Sequence, residues 1–250
     1  MSTAGKRTPI LPNGLKSKET GKNVMHENEF NRAVKRKLKD HLERCGFRTL
    51  LVAPTDADTP LKARTDLANA KKADAYVSIH ANAFDGKFDG NDPEGVETYH
   101  YPNSTNGKKL ATLVHKHLIQ GTKQKDRGVK SANFHVLRET NMVAILVEAG
   151  FMDNLYEAKL LLSDPFREEV ATEIALGICE YYNVPYVPKK EVVVMPNVLK
   201  PDNNVPSSWA QESWNWAKQV GLLDGTRPKD PITREEMATV LKRFVDKRMI

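Results

Sequence analysis

Three polar residues stand at the ends of elements, where an open α/β sheet builds its sites. His80 closes the run Ala75-Tyr-Val-Ser-Ile-His80, Glu148 closes Ala144-Ile-Leu-Val-Glu148, and Glu27 opens a long amphipathic segment. One imidazole and two carboxylates suit a hydrolytic metal site. Neutral imidazole and carboxylate bind zinc, an open position holds water, and a further carboxylate takes its proton. Plainer readings exist for two of them. His80 can be a packed strand-end histidine, and Glu27 an acidic residue in a helix's first turn, where it complements the dipole. Glu148 is harder to explain away. Four apolar residues precede it and Ala-Gly-Phe follows, so its carboxylate is partly buried, where ionisation is costly without a partner.

The elements that must position these residues follow from the hydrophobic period. The first 24 residues, rich in Gly, Pro, Lys, Ser and Thr, read as a loop. From Asn28 to Arg44, Phe30, Val34, Leu38 and Leu42 recur every four residues, which predicts an amphipathic helix ending at Gly46. Phe47 to Val52 reads as a short buried strand, Leu61 to Lys72 as a helix and Ala75 to His80 as a strand. Val96 to Tyr101 alternates as a strand, and Asn106 to Ile119 returns to helical spacing. Ala144 to Glu148 is an almost wholly apolar strand, and Asp164-Pro165 starts a last helix running to Tyr182. Strands alternating with helices predict an α/β fold, a mostly parallel twisted sheet with helices on both faces.

The composition narrows the function classes. No apolar run in the 250 residues approaches the roughly 20 that a bilayer-spanning helix requires, so no membrane partner is expected. The net charge is +6, and residues 1–44, with 11 basic and 5 acidic groups, carry all of that excess. So local an excess is not a nucleic-acid footprint, which has a larger basic face with interleaved aromatics. It fits attraction to an anionic surface or polymer, or simply a solvated helix face. Cys45 and Cys179 lie in apolar settings and read as small core residues. The opening residues have no apolar core of a signal peptide.

After Asn183 the character changes. Residues 184–206 contain five prolines and no helical period, an extended linker. Residues 207–250 read as a small all-α domain. Its first helix carries Trp209, Trp216 and Val220. Its second opens on a Thr233/Glu236 capping box and presents Met237, Val240, Leu241 and Phe244.

Whole segments add a resemblance. LKARTDLANAKKADAYVSIHANA, GVETYHY and RGVKSANFHVLRETNMVAILVEAGFMDN are similar, in order and spacing, to blocks of the zinc-dependent N-acetylmuramoyl-L-alanine amidases (amidase-3 family). The resemblance covers roughly residues 5–183, and the chain looks like the bacteriophage endolysins of that family. It implies a peptidoglycan hydrolase that cuts the amide between the lactyl group of N-acetylmuramic acid and L-Ala. It implies one zinc ion in the catalytic domain (residues 1–183), with His80 and Glu27 as zinc ligands and Glu148 as the catalytic residue. Glu27 opens a Glu-x-x-x-Asn stretch ending at Asn31, with Glu29 as the fallback if the register slips by two. The family's first strand and its Gly-His-Gly motif, which carries the third ligand, have no counterpart here. Either the start lies downstream of the true one, or one ligand is absent and zinc is weakly held. His26 is the nearest replacement, but neighbouring helical residues diverge by about 100°. His100, His115, His117 and His135 read as surface or strand residues rather than ligands.

Residues 209–244 resemble a single surface-layer-homology repeat, which implies a wall-binding role for residues 207–250; a helical cap or dimerisation hairpin is the plainer alternative. The expected partners are peptidoglycan and wall polymers of a Gram-positive host, with the chain a monomer. Expected localisation is synthesis in the host cytoplasm without a signal peptide, with action on the wall after membrane permeabilisation. Two other readings stay open: a non-catalytic wall-binding protein with an incomplete metal site, and a zinc peptidase cutting within the stem peptide.

Overall fold

The computed structural model describes residues 6–55, 57–189, 206–223 and 234–246. The chain divides into two compact units, residues 1–189 and 190–250.

The larger unit runs α1 (Glu27–Arg44), α2 (Leu61–Ala70), β1 (Ala75–Asn82), β2 (Val96–His100), α3 (Thr105–Thr122), β3 (Asp126–Ser131), α4 (His135–Arg138), β4 (Val143–Phe151), α5 (Leu155–Leu162) and α6 (Asp164–Tyr182). Its four strands form one sheet in the order β1-β4-β2-β3. The β1–β4 and β2–β3 pairs are parallel and the β4–β2 pair antiparallel, so the α/β sheet is mixed, with two of its three pairings parallel.

Alternation along β4 sorts side chains between two faces. Ile145, Val147 and Ala149 enter a large core with Phe30, Val34 and Leu38 of α1, Leu110, Val114 and Leu118 of α3, and Val170, Ile174 and Ile178 of α6. Ala144 and Leu146 point the other way, into a smaller cluster with Tyr76, Ala68 of α2, and Val136 and Leu137 of α4. Helices therefore cover both faces, and the nearly continuous apolar run of β4 is the mark of a strand buried on both sides. The smaller cluster caps only one end of its face, and Glu148 lies on that face beyond Leu146. Cys45 and Cys179 are both buried and free, as small core residues.

One reading of local sequence is corrected, and one strand has no such reading. Phe47–Val52 is not a strand: it has no ladder partner, none of its residues is fully buried, and Leu50 is exposed. Its apolar composition reflects contact with neighbouring elements instead. A space of about 700 Å3, lined by Leu42, Phe47, Leu50, Val52, Val77 and Ile79, separates it from the edge of β1. Conversely β3, Asp-Arg-Gly-Val-Lys-Ser, carries no apolar alternation that would announce it; at the sheet edge it is held by its ladder with β2.

Buried carboxylates tie down the loops at the site end of the sheet. Asp153 Oδ2 accepts hydrogen bonds from the amides of Phe84, Asp85 and Gly86 at 2.6, 2.9 and 2.9 Å, pinning the turn that follows β1. Glu157 accepts from the amides of Gly95 and Phe151 and from Gln124 Nε2.

The smaller unit contains a 3-10 turn (Ser208–Ala210), α7 (Gln211–Gln219) and α8 (Arg234–Asp246). Leu222 is buried there, and Arg243 Nη1 donates to its carbonyl. Trp209, Trp216, Met237, Leu241 and Val245 are exposed. Thr233 of the expected capping box, and residues 190–205 of the expected linker, lie outside the described residues.

Replacing Asp153 by Ala leaves three amides without their acceptor and is expected to cost about 2–4 kcal/mol. Hydrogen exchange at Phe84, Asp85 and Gly86 should quicken selectively in that variant, and unchanged protection would show the turn is held by other contacts.

Candidate functional site

The three residues read from the sequence come together at the carboxyl ends of β1 and β4. His80 and Glu148 are register partners in the parallel β1–β4 ladder, so their side chains leave the same face of the sheet. Glu27, the first residue of α1, is fully buried, and its Oε1 lies 2.6 Å from His80 Nδ1. One helical turn on, Asn31 Nδ2 donates to the same oxygen at 3.2 Å, which gives the Glu-x-x-x-Asn spacing a physical reason. The other imidazole nitrogen, Nε2, is 2.8 Å from Ser78 Oγ, which fixes the ring with Nδ1 towards Glu27.

Burial pushes the carboxyl of Glu148 up to about 7, with His80 opposing the shift and Glu27 adding to it. Among the described residues, Glu148 Oε2 and Glu27 Oε2 are buried without a hydrogen-bond partner. Buried carboxylate oxygens are ordinarily satisfied. Two orphans beside one imidazole fit a site that takes a cation or a proton. The donor types, imidazole and carboxylate, are those of zinc. No group of three or more His, Cys, Asp or Glu poised to hold a metal occurs among the described residues, however.

The alternative ligands are engaged elsewhere. Glu29 accepts from Ser17 Oγ and forms a buried ion pair with Arg167 at 2.8 Å, so both of its oxygens have partners. His26 pairs with Arg7 in an isolated β-bridge, and no hydrogen bond joins its side chain to His80 or Glu27 among the described residues. His100 Nδ1 contacts the Tyr101 carbonyl, His117 pairs with Glu180, and His135 lies near Thr65. His115 is neither surface nor strand: it is buried on α3, between Thr98 Oγ1 and Asp126.

The sequence reading missed a second group on the same face. Glu97 of β2 lies directly opposite Glu148 in the antiparallel ladder. Its carboxylate is only 2% exposed and accepts from Tyr99 Oη, Arg127 Nε and Lys130 Nζ. A charged residue alternating on a strand reads as a solvent face, and only the pairing register shows otherwise. A cleft of about 160 Å3 adjoins the site, lined by Asn31, Arg64, Tyr76, Ser78 and His80.

Comparisons with known proteins bear on this geometry. The family model for N-acetylmuramoyl-L-alanine amidases (Amidase_3) matches residues 12–180, a span that contains Glu27, His80 and Glu148. An endolysin of Bacillus phage SPP1 is 31% identical over 252 residues, covering 94% of this chain and 86% of the phage protein. The N-acetylmuramoyl-L-alanine amidase CwlM of Bacillus licheniformis is 38% identical over 138 residues. The chain spans 51% of that relative's length, and 24% of an uncharacterized cell wall amidase of Bacillus anthracis. Among solved structures, the catalytic domain of the amidase CwlV of Bacillus (Paenibacillus) polymyxa var. colistinus superposes with a TM-score of 0.59 at 36% identity, over 64% of this chain and 87% of that one. Sequence blocks, sheet and family model agree over most of the chain, which therefore belongs to the N-acetylmuramoyl-L-alanine amidase family Amidase_3.

Proposed function

We propose that this chain hydrolyses peptidoglycan at the amide joining the lactyl group of N-acetylmuramic acid to L-Ala, with zinc held by Glu27 and His80 and with Glu148 as the general base. The observation that carries the reading is the pairing of His80 with Glu148 across β1 and β4, with Glu27 against the same imidazole. A zinc ion bound there would supply polarisation of the lactyl carbonyl and acidity to water.

The chain's own residues do the rest. Ser78 and Asn31 orient His80 and Glu27, as the outer partners of metal ligands do. Glu148, with its carboxyl pushed up to about 7 by burial, is poised to take a proton from water at neutral pH. It then returns that proton to the departing L-Ala nitrogen, since an amide leaves readily only as the amine. With two protein donors, zinc is held more weakly than by a full set of three. The exposed Trp209 and Trp216 of the smaller unit support a wall-polymer contact. The substrate is then the wall of a Gram-positive host, reached after the membrane is permeabilised, and the chain acts as a monomer. The absence of a third donor among the described residues favours one competing reading, a wall-binding protein without catalysis.

Mass mapping of purified wall incubated with the chain and added zinc separates the two. New amino termini on L-Ala with intact lactyl-sugar strands are expected; no cleavage would favour the binding protein. Glu27→Ala and His80→Ala are expected to lose both zinc and lysis while keeping the fold, and chelation should abolish activity reversibly. Stoichiometric zinc surviving purification would overturn the weak-site reading.

Glu148→Gln should lower turnover by roughly 100-fold or more. In the metal-free chain it should also stabilise the fold. The folded carboxyl titrates at about 7 and the unfolded one near 4.5, so its ionisation favours unfolding increasingly across that window and fully above it. The variant gains at pH 8, by an amount on the order of 2–3 kcal/mol, and gains nothing below pH 4. Equal melting temperatures at pH 8 would show that Glu148 is not held out of water. Deleting residues 184–250 should reduce sedimentation with walls and spare cleavage of soluble muropeptides; unchanged sedimentation would leave the smaller unit without a binding role.

A further inference from the structure

The row of polar residues does not end at Glu148. Across the sheet, β1 supplies His80, β4 Glu148 and β2 Glu97 in direct register, and β3 at the far edge supplies Arg127 and Lys130. The last three form one unit: the Arg127 guanidinium and the Lys130 ammonium both donate to Glu97. Two cations on one carboxylate leave an excess positive charge. That charge faces outward, because the Glu97 side chain is 3% exposed whereas Arg127 and Lys130 are 29% and 39% exposed.

Arg127 makes a second contact beside this ion pair. Its Nε serves Glu97 and its guanidinium lies over the Phe151 ring at 5.0 Å, which fixes the plane. Among the described residues, neither of its terminal nitrogens has an acceptor. A fixed guanidinium with free terminal N–H groups is the protein's usual fork for a carboxylate.

Reach selects the ligand. Adjacent strands are about 4.8 Å apart, so the cations stand roughly 10 Å from the Glu148 strand before their side chains reach back. An extended peptide advances about 3.4 Å per residue. A peptide whose first amide lies at Glu148 thus brings the residue after L-Ala within range of the pair.

We propose that Arg127 and Lys130, positioned by Glu97, form a carboxylate subsite that reads an anionic group on the stem-peptide residue following L-Ala. The inference rests on the amidase reading for the identity of the peptide, and it assigns the site a specificity determinant separate from its chemistry.

Binding to the full chain carrying E148Q tests it without turnover. Two synthetic muropeptides are compared by calorimetry: one with a free carboxylate on the residue after L-Ala, and one with the matching carboxamide. The carboxylate ligand is expected to bind about 10- to 100-fold tighter, as charge-assisted hydrogen bonds allow. Adding Arg127→Ala or Lys130→Met should erase most of that preference, and Arg127→Lys should restore part of it. A purely structural role would weaken both ligands alike. Equal affinity for the two ligands, binding of neither, or a preference that survives Arg127→Ala overturns the subsite. A discriminating E148Q chain alongside wild-type protein that cleaves neither muropeptide with zinc would sink the hydrolase reading and leave the subsite standing.

Discussion

A carboxylate removed from water must find a cation, a proton or several hydrogen-bond donors, and the larger unit is organised around meeting that demand repeatedly. Glu29 has Arg167, Glu97 has Arg127 and Lys130, Asp153 has three consecutive amides, and Glu157 has two amides and a glutamine. Each of these carboxylates fastens one part of the chain to another. Glu27, Glu148 and Asp153 each keep a buried oxygen without a partner among the described residues, but only those of Glu27 and Glu148 stand beside one imidazole. At the site two incompletely compensated carboxylates are brought against the same histidine. A bound cation or a proton would relieve the cost of that arrangement.

This contrast decides how much of the site was legible in the sequence. Glu148 announced itself by following an apolar run, and His80 by ending the run read as a strand, although β1 continues to Asn82 and β4 to Phe151. Glu27 was placed ahead of Glu29 by the Glu-x-x-x-Asn spacing, with Glu29 kept as the fallback for a slipped register. Two residues along a helix turn about 200°, and only the positions of His80 and Arg167 show which of the two faces the sheet. Glu97, Arg127 and Lys130 were invisible for another reason. Their partnership depends on which strands lie side by side, and β2 and β3 are joined through a long helix that hides their pairing from any local pattern.

The fold shows the same division. Helices α1, α3 and α6 follow their apolar periodicity to within a few residues, because a helix satisfies its backbone internally. A strand does not. Phe47–Val52 has the composition of a strand and no partner, while polar β3 has a partner and little strand composition. What makes a strand is the neighbouring backbone, which sequence-local reasoning does not contain. The same logic explains the mixed sheet: alternating elements signal parallel pairing, but the antiparallel contact of β2 with β4 is what brings Glu97 opposite Glu148.

The contact between Glu27 and His80 joins residues 53 apart, and Glu148 lies farther along still, on the central strand. None of the three is near another in the chain, and no single hairpin or helix pair holds two of them in place. Bringing them together requires closing long loops, a cost met by the packing of the sheet and α1 rather than by any local element. Damage to the β1–β4 pairing or to the seat of α1 would therefore separate the three residues without touching any of them.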